Sequence, residues 1–117
     1  MPSDAERALR RLQAIRDNIE AARQFVAGVT RDNFISNREK TYAVVRALEI
    51  VSEAARHLPD AIKDRHPTIE WAQIRAAGNF YRHEYEGVAL DVIWNTVQGN
   101  LGPLHTVVLE EIERFES

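Results

Sequence analysis

The chain has 117 residues, 44% hydrophobic and 28% charged, with 5 glycines, 4 prolines and no cysteine. That length suits a single domain over 1–117; so few Gly and Pro argue against a turn-rich sandwich or barrel, and the missing cysteine excludes disulfides, thiolate metal sites and a cysteine nucleophile. The net charge is −3, and no basic tail or patch stands out, which argues against bulk duplex binding through phosphate neutralisation. Of the 15 basic residues 13 are arginine, an excess that a GC-rich coding sequence explains as well as function does. No stretch approaches the ~20 apolar residues of a membrane span, and the start MPSDAERALRRLQ lacks the apolar core of a secretory signal. A reducing cytoplasm is the expected location.

The first helix is predicted to open at Ser3, because Ser3-Asp4-Ala5-Glu6 has capping-box spacing. Leu9, Leu12, Ile15, Ile19, Ala22 and Val26 then form one apolar stripe, and Gly28 suits a left-handed residue past the helix end. VTRDNFISN reads as a short linker carrying one buried aromatic, Phe34. The second long helix runs from about Arg38 to Leu58, with Val44, Leu48, Val51, Ala55 and Leu58 on one side, and Pro59 stops it. DAIKDRH is expected to form a turn or two of helix, closed by Pro67. Thr68 is the expected cap of the next helix, which buries Trp71, Ile74, Ala77, Gly78 and Tyr81 and frays around Tyr85–Gly87. A last long helix begins near Ala89–Asp91, with Ile93, Val97, Leu101, Leu104, Val108, Ile112 and Phe115 at helical steps; Gly99, Gly102 and Pro103 predict a kink or an irregular turn in it. The acidic run EEIERFE opposes the helix dipole and predicts fraying or a basic partner. No segment alternates with period two. The expected fold is all-α, an antiparallel bundle of four to five helices.

One stretch concentrates reactive residue types: Gly78-Asn79-Phe80-Tyr81-Arg82-His83-Glu84-Tyr85-Glu86. Arg75, Asn79 and His83 are four apart, so they lie along one helix face with about 40° of drift per step. Histidine exchanges protons near neutral pH, and arginine holds a phosphate and neutralises charge building on it. Together they suit RNA cleavage without a metal, in which the ribose 2′-hydroxyl attacks its own phosphate. A structural histidine, hydrogen-bonded near a helix end, fits the bare pattern as well. His57, His66, His83 and His105 show no H-x3-H or H-E-x-x-H spacing, so no metal site is expected, and no cofactor. There is no Gly-rich phosphate loop and no G-x-S-x-G. Arg7, Arg10 and Arg11 read as a solvated face.

The order ALEI-x-x-EAA, HP-x-I-x-W, N-x-x-x-H-x-Y and V-x-W, after a long first helix, closely resembles the HepT-like branch of the HEPN superfamily over nearly the whole chain. The resemblance implies a HEPN-like helical bundle that pairs as a homodimer, with an active cleft at the two-fold interface. It implies a metal-independent ribonuclease toxin acting on RNA. Its implied partner is a minimal nucleotidyltransferase antitoxin of the MntA type, which silences the toxin by transferring AMP to a motif tyrosine.

By the same resemblance the family histidine falls on His83, the AMP-accepting tyrosine on Tyr85, and the motif asparagine on Asn79. The family motif is R-x(4–6)-H, commonly R-N-x-x-x-H, and the position before Asn79 is Gly78 rather than arginine. Arg75 shares the Asn79–His83 face and is one candidate to replace it. Arg82 points about 100° from His83 on an ideal helix and would reach a cleft only across a two-fold axis. Glu53 is expected either to face the same cleft and orient an arginine or to be a solvated glutamate. Trp71 and Trp94 are expected to pack the core rather than stack on bases. Two functions remain open: a ribonuclease, and a non-catalytic helical dimer that serves as binding partner or AMP-accepting substrate of the transferase.

Overall fold

Ser3 caps the first helix as its spacing predicts: its hydroxyl accepts from the Glu6 amide at 3.0 Å, and the Glu6 carboxylate accepts from the Ser3 amide at 3.4 Å. The computed structural model describes the backbone of residues 1–83 and 89–117 and the side chains of 1–81 and 90–117. Its elements are α1 (Asp4–Val26), α2 (Arg31–Ser36), α3 (Arg38–Arg56), α4 (Asp60–Asp64), α5 (Trp71–His83), α6 (Ala89–Asn95), a π-helical turn (Thr96–Asn100) and α7 (Leu101–Glu116). Among the described residues there is no strand, and no helix is long and apolar enough to cross a membrane. The expected all-α bundle is present. The fraying expected at Tyr85–Gly87 lies outside the described residues.

The stripe predicted on α1 is buried from Leu12 onward: Leu12, Ile15, Ile19 and Ala22 have no exposed surface and Val26 very little, while in the first turns Ala8 is buried and Leu9 only in part. Gly28 then takes φ +73°, which a side chain would oppose. Residues 31–36 are helical rather than a bare linker. Thr30 makes the difference, its hydroxyl accepting from the Asn33 amide at 3.2 Å, a cap that lets six residues form a turn. That turn drives Phe34 into the core against Trp94, ring centroids 5.4 Å apart. Arg31 forms an ion pair with Asp91, so α2 bridges to α6.

Central α3 packs on α1 and α5, while α7 closes the other side of α1. Lys40 donates to the Phe25 carbonyl at 3.1 Å, joining the end of α1 to the start of α3. The His105 ring meets Glu20 at 2.9 Å and Arg23 at 3.3 Å, joining the start of α7 to the last turns of α1. Both pairs of helices are therefore antiparallel.

Of the kink or irregular turn expected near Gly99–Pro103, the structure has the irregular turn, a π-helical one over Thr96–Asn100. Ile93, Val97 and Leu101, all buried, are spaced four and four, a step that drifts about 40° each time on an α-helix. A wider turn absorbs that drift and keeps all three facing the core. Thr68 does not cap α5. The first helical bond there runs from the Ile74 amide to the Glu70 carbonyl, because Ile69 is nearly buried and holds the preceding turn against the core.

The acidic C-terminus finds its basic partner inside the chain. Glu111 is 1% exposed. It accepts from Arg65 through two nitrogens, at 2.5 and 3.1 Å, and meets the His66 ring at 2.6 Å. The Arg65 hydrogen bonds hold its carboxyl below the usual carboxylate range, with His66 adding to them against the opposing effect of burial. The fraying expected there gives way at Glu111 because a buried carboxylate needs such partners.

Glu111→Gln removes the charge that Arg65 and His66 face. Breaking a buried pair costs about 3–5 kcal/mol; Arg65 keeps some water access, so about 2 kcal/mol is expected in urea or thermal unfolding. The folded carboxyl titrates below its unfolded value of about 4.3. Its stabilisation is therefore fully present above that pH and is lost as pH falls through the folded value. Glu111→Gln should lack this part of the acid sensitivity.

Candidate active site

Helix α5 carries the candidate residues, and two bonds fix where it lies. The Trp71 indole donates to the His66 carbonyl at 3.1 Å, anchoring the helix start to the segment that holds Glu111. The Ser52 hydroxyl donates to the Ile74 carbonyl at 2.7 Å, setting the register of α5 against α3. The residues that follow each of these, Glu53 and Arg75, therefore stand at about the same level of the two helices.

The helix is divided lengthwise. Gly78 and Tyr81 are buried, with Trp71, Ile74 and Ala77 packed against the core. Arg75 and Asn79 are exposed. At 100° per residue, Arg75 and Asn79 lie on the far side of α5 from Ala77 and Tyr81. His83 is the last residue of the helix, and its backbone continues the Arg75–Asn79 row by one turn. Arg82 precedes it in the same turn. The side chains of Arg82 and His83, and Tyr85 as a whole, lie outside the described residues, so their expected roles rest on the sequence.

Gly78, at the position where the motif arginine is expected, is buried on the inner side of α5. Arg75 is on the outer side instead, together with Asn79. Glu53 is half-exposed and has an arginine partner, but on its own helix: Arg56 donates to it at 3.3 Å and His57 approaches at 2.9 Å. Arg56 first, and His57 after it, hold its carboxyl below the usual range.

The three histidines with described side chains are each engaged by a carboxylate: His57 by Glu53, His66 by Glu111 and His105 by Glu20. Among the described residues no three His, Asp or Glu side chains stand close enough together to hold a metal ion. Trp71 and Trp94 pack against the core, as expected.

Sequence reasoning did not single out Tyr81 beyond its burial. Its ring meets Phe80 edge-on, centroids 5.8 Å apart, and it borders one cavity with Thr96, the first residue of the π-helical turn. Burial pushes the phenol above its ordinary value, outweighing the opposing effect of Thr96. The four-and-four spacing of Ile93, Val97 and Leu101 was the available sign of the turn that presents Thr96.

The family model for the ribonuclease HepT-like family matches residues 15–112. A protein named probable ribonuclease HepT from Thermococcus cleftensis is 32% identical, over 80% of this chain and 84% of its own length. A candidate RNase from Caldanaerobacter subterraneus subsp. tengcongensis is 30% identical over 88% of this chain and 92% of its own. Another from Methanocaldococcus jannaschii is 31% identical over 74% and 76%. No solved structure matches the chain significantly.

The division of α5 has a direct consequence for stability. Arg75→Ala, on the exposed side, should change it by less than about 0.5 kcal/mol. Ser52→Ala, which removes the donor to the Ile74 carbonyl, should cost about 1 kcal/mol. Urea unfolding of the two variants measures both.

Proposed function

The chain belongs to the ribonuclease HepT-like family, and on that footing we propose that it is a metal-independent endoribonuclease whose site is the outward row Arg75, Asn79 and His83 of α5. The observation that carries this reading is the exposure of Arg75 and Asn79 one turn apart, on the outer side of a helix whose other side is packed. In the proposed step His83 takes the proton of a ribose 2′-hydroxyl, and the oxygen attacks the adjacent phosphorus. The bond to the 5′-oxygen breaks, and that oxygen leaves with a proton. The products are a 2′,3′-cyclic phosphate and a 5′-hydroxyl, with no water consumed. Arg75 holds the phosphate and offsets charge developing on it, Asn79 hydrogen-bonds beside it, and Arg82 serves the cleft of a second copy across a two-fold axis.

One helix face offers little enclosure, so the proposed working form is a homodimer in which two such faces make the cleft. Glu53 is left outside this proposed site, since it pairs with Arg56 and His57 of its own helix and lines a groove shared with Arg11 and Ala14 of α1. The proposed regulator is a minimal nucleotidyltransferase acting as antitoxin, which transfers AMP from ATP to the Tyr85 hydroxyl and releases pyrophosphate. An AMP group two residues from His83 adds bulk and negative charge where RNA would bind, which repels the substrate.

Buried Gly78, in place of the motif arginine, favours a second reading: a dimer that no longer cuts RNA and serves the transferase as partner or substrate.

The purified chain should cleave single-stranded RNA in EDTA and leave cyclic phosphate ends. His83→Ala should lower the rate at least about 100-fold, in line with loss of a general base, and Arg75→Ala about tenfold or more. Intact RNA with folded wild-type protein would end the nuclease reading and leave the second. Separately, incubation with ATP and the transferase should add one AMP to Tyr85 by mass spectrometry and none to Tyr85→Phe; an unmodified wild-type Tyr85 would sink the regulatory part.

A further inference from the structure

Helix α3 carries a row of exposed residues that the proposed step does not use. Arg38, Tyr42 and Arg46 stand four apart on one side of it, and all three are exposed. Tyr42 is 53% exposed and the Arg46 side chain 70%. Arg46 has Glu49 at 3.6 Å, a long pair that leaves most of the guanidinium in water. Glu49 and Glu53 continue the row, so it is basic at its first end and acidic at the other.

The basic end is the one beside the candidate site. The Ser52 hydroxyl bonds the Ile74 carbonyl, and further along Leu48 and Tyr81 border one cavity of about 470 Å³, so α3 recedes as α5 advances. Both helices rise about 1.5 Å per residue. Counting back from Ser52 as far as His83 lies beyond Ile74 reaches Ala43, between Tyr42 and Arg46. The two rows also look the same way. Leu48 and Val51 of α3, with Ala77 and Tyr81 of α5, line the cavity. At 100° per residue, Tyr42 and Arg46 lie on the far side of α3 from it, as Arg75 and Asn79 lie on the far side of α5.

A tyrosine framed by two arginines suits single-stranded nucleic acid, because a base stacks on the ring while guanidinium groups hold the phosphates on either side. The exposed groups flanking Tyr42 along the row are charged rather than aliphatic, which fits a polyanion better than an apolar partner surface. We propose that Arg38, Tyr42 and Arg46 form a subsite for the single-stranded RNA that flanks the bond to be cut. The ring stacks one base, and the two arginines hold phosphates next to it. This rests on the reading of the chain as a ribonuclease acting at the α5 row.

A fluorescent single-stranded RNA carrying 2′-O-methyl groups has no hydroxyl to attack its own phosphates, so it separates binding from cleavage. By fluorescence anisotropy with the full chain, Tyr42→Ala should weaken binding about tenfold, as loss of one stacked base does, and Tyr42→Phe should stay within about twofold of wild type. Arg38→Ala and Arg46→Ala should each lower the slope of log affinity against log salt by about 0.7, the value for one phosphate of a single strand. Arg46→Lys should keep the slope. Arg56→Ala, at the acidic end of the same row and paired with Glu53, should bind as wild type does. In cleavage of unmodified RNA the loss in Tyr42→Ala should fall on KM, with kcat within about twofold.

No binding by the wild type, wild-type affinity in Tyr42→Ala, or equal weakening in Arg56→Ala would overturn the proposal. So would variants that bind RNA normally and instead break a dimer in analytical ultracentrifugation, since a second copy would then cover this part of α3. A wild-type chain that binds the 2′-O-methyl RNA through these residues and cuts no RNA ends the nuclease reading and leaves the subsite standing. One that cuts RNA as well with Tyr42→Ala as without it ends the subsite alone.

Discussion

A carboxylate with almost no access to water, Glu111 of α7, is shared between Arg65 and His66, and the His66 backbone carbonyl receives the Trp71 indole at the start of α5. Removing a charge from water costs several kcal/mol unless partners replace the lost hydration, a large share of the 5–15 kcal/mol that holds a typical domain together. The segment between α4 and α5 is thus confined to placements that bring both side chains to Glu111. Trp71 follows from that, and the Ser52 bond to Ile74 then fixes the sliding of α5 along α3. The orientation of the candidate site is set from outside the site, by a charge at the far end of the chain.

With its start fixed, α5 has one way to satisfy its sequence. Ile74, Ala77 and Tyr81 face the core, and Arg75 and Asn79 are left on the solvent side. Packing and exposure are thereby separated on one helix: the inner row is packed against the core, and the outer row is exposed. Gly78 falls on the inner row. An arginine there would have to bring its charge out of the packed side, whereas Arg75 needs no such detour. The histidines with described side chains, His57, His66 and His105, are each engaged by a carboxylate within the fold.

Much of the bundle was legible because apolar periodicity and end signals are local. The α1 stripe, the Ser3 capping box, the left-handed Gly28, the stop at Pro59 and the burial of Phe34 depend on a few neighbouring residues each. The readings that failed were those in which a distant residue changes a local preference. Residues 31–36 look like a linker until the core takes Phe34 and Thr30 caps the turn. Thr68 looks like a cap until Ile69 is drawn inward and moves the helix start to Glu70. EEIERFE looks like a solvated acidic end until Arg65 and His66 reach Glu111 across more than forty positions.

By itself the sequence determined that this is a cysteine-free helical bundle, that its reactive residue types gather near the end of one helix, and which family its motifs resemble. Those are properties of composition, spacing and order, which survive without knowing what touches what. Only the tertiary structure decided that Glu111 is a buried structural charge, that a π-helical turn precedes α7, and that Arg75 and Asn79 face outward while Gly78 faces in. Each of these depends on the desolvation or hydrogen bonding of groups far apart in the chain, and such energies exist only once the helices have packed.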